Sequence, residues 1–296
     1  MSTTTGPEAL VVGCGAVGLR VARALIGRGF RVYGTTRTAS KAAALEASGI
    51  VPLVVDVTRP ETLGPIDRGF ATVVHCVGYD RRSRPTQRQV YVEGLSRALD
   101  ALAGRFERLV FTSSTGVYGQ VDGSWVDEGS ATEPASESGR IVLEAEVVVR
   151  DVVVQERLVI LRLAGLYGPG RLLRAEAVRR GEPIGGDPDH WLNLVHLDDA
   201  AAAVVAAIEA ELSGRHGVFN VTDGAPLPRR AVYEALARHL VAPPPRFETG
   251  GEATGRDLAN KRVDGGRARR ELGFEPLYPD ATEALASCVR VQDQKA

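Results

Sequence analysis

ALVVGCGAVGLRVARAL, residues 9–25, joins a short apolar run to a helical pattern through three glycines, Gly13, Gly15 and Gly18. Gly18, Val21, Ala22 and Leu25 fall at i, i+3, i+4 and i+7, one face of a helix, so the segment predicts strand, tight turn, helix. Each glycine has a physical duty there: to make the turn, to let backbone approach a pyrophosphate, and to let helix and strand pack closely. The N–H groups at the helix start, from Gly15 through Ala16 and Val17 to Gly18, face outward as an anion site. The spacing therefore predicts a bound dinucleotide.

Working outward, further apolar runs recur at RVYGTT, VPLVVDV, ATVVHCVG, RLVFTSS, LVILRLAG and GVFNVTD, with helical spacing between most of them. Strands alternating with helices imply parallel pairing through right-handed crossovers, and near-continuous apolar strands imply a sheet covered on both faces. The expected fold class is α/β, a doubly wound parallel sheet of the Rossmann type, with ligands at the carboxyl ends of its strands. Residues 1–165 and 195–225 are assigned to this body, and residues 166–194 and 226–290 to a small C-terminal substrate lobe with one helix, RRAVYEALARHL. Residues 291–296 are read as a tail. Asp198 is the expected N-cap of the helix in VHLDDAAAAVVAAIEAEL. VAPPPRFETGGEATG, 241–255, is expected to be a mobile loop.

Composition excludes several classes. Thirty-six basic and 37 acidic residues leave a net charge of -1, with arginines scattered, so no global field draws nucleic acid or an anionic membrane. Cys14, Cys76 and Cys288 form neither CxxC nor a metal-ligand spacing, which fits a reducing cytoplasm and predicts no metal. The N-terminal segment lacks a basic n-region, and no apolar run reaches membrane-spanning length. A soluble, cytoplasmic protein is expected.

The second strand selects the dinucleotide. NAD sites place an acid there for the ribose hydroxyls, whereas NADP sites place a cation. Here Thr35, Thr36 and Arg37 occupy that end, and a guanidinium binds a 2'-phosphate bidentately, so NADP is expected over NAD. Asp56 and Val57 after the third strand suit the adenine edge. Cys76, Val77 and Gly78 after the fourth suit close approach to the ribose.

GCGAVG, DVT, SSTGVYG, LRLAGLYGPGR, NLVHLDDAAAA and KRVDGGRARRELGF together resemble the extended short-chain dehydrogenase/reductase superfamily, the NAD(P)-dependent epimerase/dehydratase-like proteins, from about Ala9 to Leu285. In standard members a Ser or Thr, a Tyr and, four residues on, a Lys work together. The resemblance places Ser114 in the first role. The lysine lowers the tyrosine's pKa from about 10 so that the phenol trades a proton as hydride moves. In SESGRIVLEAE, 136–146, the corresponding residues are Ser138 and Val142. Neither supplies that chemistry, which resembles an atypical group within the superfamily. Nucleotide-sugar epimerases carry an arginine where this chain has Leu192, beside Trp191, so a smaller or more apolar substrate is expected.

Candidates for the missing acid are Tyr79, at the edge of the fourth strand near Arg81 and Arg82, and Tyr118 in SSTGVYG, with Ser114 as hydrogen-bond donor. Tyr167 is expected to shape the pocket and His196 to hold the lobe by a structural hydrogen bond. Glu144 is read as a surface partner of Arg140. Two functions remain open: an NADP-dependent oxidoreductase or epimerase/dehydratase-like enzyme acting on a small molecule, or a non-catalytic NADP(H)-binding sensor. SGRIVLEAEVVVRDVV, 138–153, is a candidate homodimer face.

Overall fold

A computed structural model describes residues 6–210, 217–248 and 259–293, with side chains to residue 290. The elements, in chain order, are β1 (Glu8–Val12), α1 (Ala16–Ile26), β2 (Arg31–Thr36), α2 (Ala39–Glu46), β3 (Val51–Val54), β4 (Phe70–His75), α3 (Gly94–Leu102), β5 (Phe106–Ser114), β6 (Trp125–Val126), α4 (Glu137–Val152), β7 (Leu158–Leu163) and β8 (Gly165–Tyr167). There follow α5 (Ala175–Arg179), β9 (Ile184–Gly185), β10 (Trp191–Leu192), β11 (Leu194–His196), α6 (Leu197–Glu209), β12 (Gly217–Val221), β13 (Leu227–Pro228), α7 (Arg229–Leu240), β14 (Phe247–Glu248), β15 (Arg262–Val263), α8 (Gly266–Leu272) and α9 (Ala281–Asp293).

Seven strands form one parallel sheet in the order β12-β7-β5-β4-β1-β2-β3. Strand order reverses between β1 and β4, which puts the glycine turn after β1 at the crevice where such sheets bind ligands. All seven apolar runs became these strands. The reason is visible in β1: Ala9 and Val11 pack with α1 and α6 on one face, while Leu10 and Val12 pack with α3 and α4 on the other. Every one of these four is fully buried. Burying a Val or Leu side chain stabilises by roughly 1.5–3 kcal/mol, so a strand covered on both faces leaves little room for polar residues.

A third apolar cluster gathers Tyr167, Val178, Ile184, Val232, Leu236, Leu285 and Cys288 from α5, α7, α9 and the short strands near them. It carries more helix than the single one expected. α5 and α9 join α7 there, and α9 runs to Asp293, beyond the residue at which a tail was expected to start. By contrast, α8 and Phe274 put Ala268, Leu272 and Phe274 into the cluster on the α6 face of the sheet and not into the lobe expected for residues 226–290. The short strands and α5, two to five residues each, escape any periodicity. Of the expected mobile loop, residues 249–255 lie outside the described residues. Among the described residues no helix is long and apolar enough to cross a membrane.

Two features of α6 tie this cluster to the sheet. His196, not Asp198, caps the helix, its Nδ1 accepting from Asp198 N–H at 3.2 Å. Its Nε2 lies 3.6 Å from Cys288 Sγ on α9, and its ring packs between Tyr167 and Tyr278. Asp199 accepts the N–H groups of Leu277 and Tyr278 at 2.8 and 3.0 Å. His196 thus has the structural role expected of it.

Candidate functional site

The glycine turn is locked before any ligand arrives. Gly13 takes φ +94, and its N–H donates to Thr35 Oγ1 at 2.8 Å. A Cβ on Gly13 would stand 2.9 Å from the backbone of Val77, and one on Gly18 would strike the Gly13 carbonyl. Gly15 differs: a Cβ there meets nothing within 4 Å, and the same holds at Gly78. Helix α1 begins on Gly15 with no side-chain cap and no acid in its first turn. Open space facing uncapped N–H groups of Ala16, Val17 and Gly18 fits a pyrophosphate.

The ribose end is less simple than the sequence implied. Thr35 is buried and its hydroxyl already holds Gly13, so it is a strut of the turn. Thr36 is also buried. Arg37 is half-exposed and faces Asp80, with Nη2 4.0 Å from Oδ2. Asp56 lies two residues beyond β3 and turns its carboxylate back onto Thr58, accepting from its N–H at 3.0 Å and its hydroxyl at 2.7 Å. Val57 is buried. Cys76, Val77 and Gly78 follow β4 directly. Burial pushes the thiols of Cys14 and Cys76 up to about 12, so neither is a nucleophile at neutral pH.

At the carboxyl end of β5, Ser114 caps the following turn by accepting from Gly116 N–H at 3.1 Å. That bond uses an oxygen lone pair and leaves the hydroxyl proton for another acceptor. Tyr118 has no such freedom. Its phenol is buried, accepting from Arg162 Nη1 at 2.9 Å and donating to Asn220 Oδ1 at 2.9 Å. This removes Tyr118 from the proton donors. Tyr79 is half-buried, set edge-on to Tyr91, and its hydroxyl has no partner among the described residues. Tyr91, whose oxygen accepts from Tyr79 N–H at 3.1 Å, was not anticipated.

Ser136 caps α4 through Gly139 N–H, and Gly139 lets the helix press against the Gly116 carbonyl. This docking carries Ser138 and Val142 to the edge of the site. Ser138 Oγ accepts from Gln87 Nε2 at 2.8 Å, and Val142 joins an apolar cluster with Val117, Tyr118, Val126 and Val263. Glu144 pairs with Arg88, not with Arg140, whose guanidinium instead reaches the carbonyls of Pro134 and Ala135. Gln87 therefore holds the hydroxyl at the place where the resemblance expects a phenol, and Arg88 pairs on another face of the helix.

One turn beyond Val142 along α4 stands a buried polar assembly. Glu146 is fully buried and accepts from Arg162 Nε and Nη2 at 2.9 and 2.8 Å, from Ser113 Oγ at 2.6 Å, and from Arg150 at 2.9 Å. Burial alone would raise its pKa. The bonds and charge of Arg162, with Ser113 and Arg150, outweigh that and hold it below the ordinary carboxylate range. Through Arg162 the chain continues to Tyr118 and Asn220, joining α4, β5, β7 and β12 under the site.

Beside the third cluster, Asp223 is buried with Oδ1 on Ala225 N–H and Oδ2 unpaired, and Tyr167 OH is likewise unpaired among the described residues. Burial raises Asp223 to about 8. Folded Asp223 keeps its proton up to that pH, whereas an unfolded aspartate releases it near 4, so stability falls as pH rises across the interval. Asp223→Asn keeps the Ala225 acceptor. Its melting temperature is expected to gain on wild type steadily from about pH 4 to about pH 8 and to run parallel above; a constant difference across the range would show an ordinary ionisation. Among the described residues no group of three His, Cys, Asp or Glu is placed to hold a metal.

A family model described as "NAD dependent epimerase/dehydratase family" matches residues 9–222. The chain belongs to this family. Protein YeeZ of Escherichia coli (strain K12) is 34% identical over 279 residues, 91% of this chain and 96% of YeeZ. A 3-diazoavenalumate denitrifying reductase from Streptomyces sp is 35% identical over 166 residues, 46% of this chain and 51% of that protein. A solved structure from Methylobacillus flagellatus, described under the same epimerase/dehydratase heading, is 31% identical with a TM-score of 0.78, covering 97% of this chain and 99% of its own. Family membership and the parallel seven-stranded sheet bear out the resemblance drawn from the sequence motifs.

Proposed function

We propose that the chain is an NADP(H)-dependent oxidoreductase that moves hydride between the nicotinamide and a small, largely apolar molecule lacking a nucleoside diphosphate. The observation that carries this reading is the open space over Gly15 at the uncapped start of α1, with Arg37, two residues beyond the Thr35 that holds Gly13, as the cation for a 2'-phosphate. Leu192, in place of the diphosphate-binding arginine of nucleotide-sugar enzymes, supports the substrate class. The cofactor supplies the hydride. Ser114, oriented by Gly116 N–H, presents its hydroxyl proton to a substrate oxygen, and Tyr79 offers the free phenol. A substrate whose leaving group departs as hydride arrives needs no side-chain acid, and the Streptomyces relative is named as a denitrifying reductase of a diazo compound. The exposed Val147 and Val152 on α4 suit pairing with a second copy.

The test follows absorbance of the reduced nicotinamide with NADPH and a panel of small aldehydes, ketones and aromatic diazo compounds. Turnover of at least one class is expected. Arg37→Ala is expected to weaken NADP by about tenfold or more and leave NAD unchanged, because charge-assisted hydrogen bonds contribute about 1.5–3 kcal/mol. Asp80→Asn, which frees Arg37, is expected to tighten NADP. Tighter retention of NAD than NADP by the wild type would overturn the cofactor choice, and bound cofactor with no turnover across the panel would overturn the activity.

A further inference from the structure

We propose that Lys261 supplies the site with the cation that α4 lacks, and that its ammonium anchors an anionic oxygen of the substrate, a carboxylate or an enolate. The proposal deepens the oxidoreductase reading above and rests on it for the identity of the site.

Residues 260–263 return from the C-terminal part of the chain to line the loop that follows β5. β15 pairs in parallel with β6, Asn260 N–H reaches the Gln120 carbonyl at 3.2 Å, and Gly123 N–H reaches the Asn260 carbonyl at 2.8 Å. Asn193 clamps the segment from the other side, its Nδ2 donating to the Lys261 carbonyl at 2.9 Å and its Oδ1 accepting from Val263 N–H at 2.7 Å. The backbone of Lys261 is thereby fixed. Arg262 turns outward, its guanidinium 5.2 Å from the ring centres of both Trp125 and Trp191. Val263 turns inward and packs in the cluster that contains Tyr118 and Val142. Alternation along an extended segment puts Lys261 on the same side as Val263. Its Nζ donates to the Tyr118 carbonyl at 2.6 Å. The chain thus brings an ammonium from a distant segment to the cluster in which Val142 stands in place of the family's lysine.

Lys261 is only 6% exposed. An ammonium has three donors, and this one has a single acceptor and no carboxylate partner among the described residues. Burial lowers its pKa to about 8, with no counter-charge to offset the effect. A buried ammonium so poorly paired destabilises the fold relative to an apolar chain of the same length. What completes its coordination is an acceptor from outside, and an anionic oxygen does so best. Val117, Val126, Val142 and Val263, packed with Tyr118 whose carbonyl holds the ammonium, are the apolar neighbours for the remainder of a small acid.

The test uses benzoate and its neutral isostere benzamide as probes, titrated by calorimetry into the full chain with and without NADP, alongside thermal melts of wild type and Lys261→Met. Wild type is expected to prefer benzoate by about tenfold or more, the worth of a charge-assisted hydrogen bond. Lys261→Met is expected to bring the ratio near one, keep wild-type NADP affinity, and melt at the same or a higher temperature. Three results would overturn the proposal: no benzoate preference in wild type, a preference retained in Lys261→Met, or a variant that melts lower or fails to fold, which would make Lys261 a structural residue. Failure of NADP to bind sinks the oxidoreductase reading alone, since the benzoate ratio is still read without cofactor.

Discussion

Glu146→Ala is expected to destabilise the protein by about 3–5 kcal/mol, because removing one partner of a buried ion pair strands the other charge in a low-dielectric interior. Arg162, itself buried, would keep the Tyr118 phenol but lose two bonds to carboxylate oxygens, and Ser113 would lose its acceptor. Arg150→Ala removes the half-exposed arm of the same assembly and is expected to change stability by less than about 1 kcal/mol. Replacing both buried charges, Glu146→Leu with Arg162→Met, is expected to recover most of the single-variant loss, since matched apolar substitution of a buried pair is often neutral or stabilising. Denaturant melts of the three variants decide the matter. A Glu146→Ala loss no larger than that of Arg150→Ala would mean that the buried pair does not hold the sheet and α4 together.

The second large effect concerns ligand, not fold. Gly15→Ala places a methyl group in open space, so stability is expected to stay within about 1 kcal/mol of wild type. The same methyl stands where the pyrophosphate is proposed to approach the backbone, and NADP affinity is expected to fall by about a hundredfold, or roughly 2.7 kcal/mol. Gly13→Ala is the contrasting control. At φ +94 and 2.9 Å from Val77 it combines backbone strain with a clash, and it is expected to unfold the protein at a lower temperature. Calorimetry with NADP on Gly15→Ala, paired with melts of both variants, separates the two. Undiminished NADP binding by Gly15→Ala would remove the observation on which the proposed function stands.

The parts of the molecule that were legible in the sequence are those governed by burial on two faces. Seven apolar runs became seven strands because a doubly covered parallel sheet tolerates little else, and the glycine turn was legible because each glycine meets a distinct steric demand. Helix caps were harder. Asp198 is the usual type of cap, yet the imidazole of His196 does the work one residue before the helix. Two-residue strands and the seven-residue α8 were missed because they are too short to show a period. Helix α9 did show one, with Ala281, Ala284, Leu285, Cys288 and Val289 at i, i+3, i+4, i+7 and i+8.

At the site, the glycine turn was read from spacing, while the bonding state of each hydroxyl was not. Nothing in SSTGVYG distinguishes Ser114, with a proton to give, from Tyr118, whose phenol is fully engaged. Glu146 did leave a trace. Together with Val142, Ala145 and Val149 it falls at i, i+3, i+4 and i+7 on the buried stripe of α4. A glutamate there requires a buried cation, and Arg162 in the apolar LVILRLAG is the matching signal. Lys261 offers no such trace, because only the folded topology carries residue 261 beside residue 118.

The grip on α4 has a consequence for how a nicotinamide is used. In enzymes with the Tyr and Lys pair, that helix holds the ribose beside the ring, whereas here Glu146 and Arg162 fasten the helix to the sheet and leave Val142 with nothing to offer a sugar hydroxyl. An epimerase must keep its dinucleotide resident so that the hydride removed is the hydride returned. On the oxidoreductase reading proposed above, a dinucleotide held without that ribose contact is expected to exchange in every cycle, entering reduced and leaving oxidised.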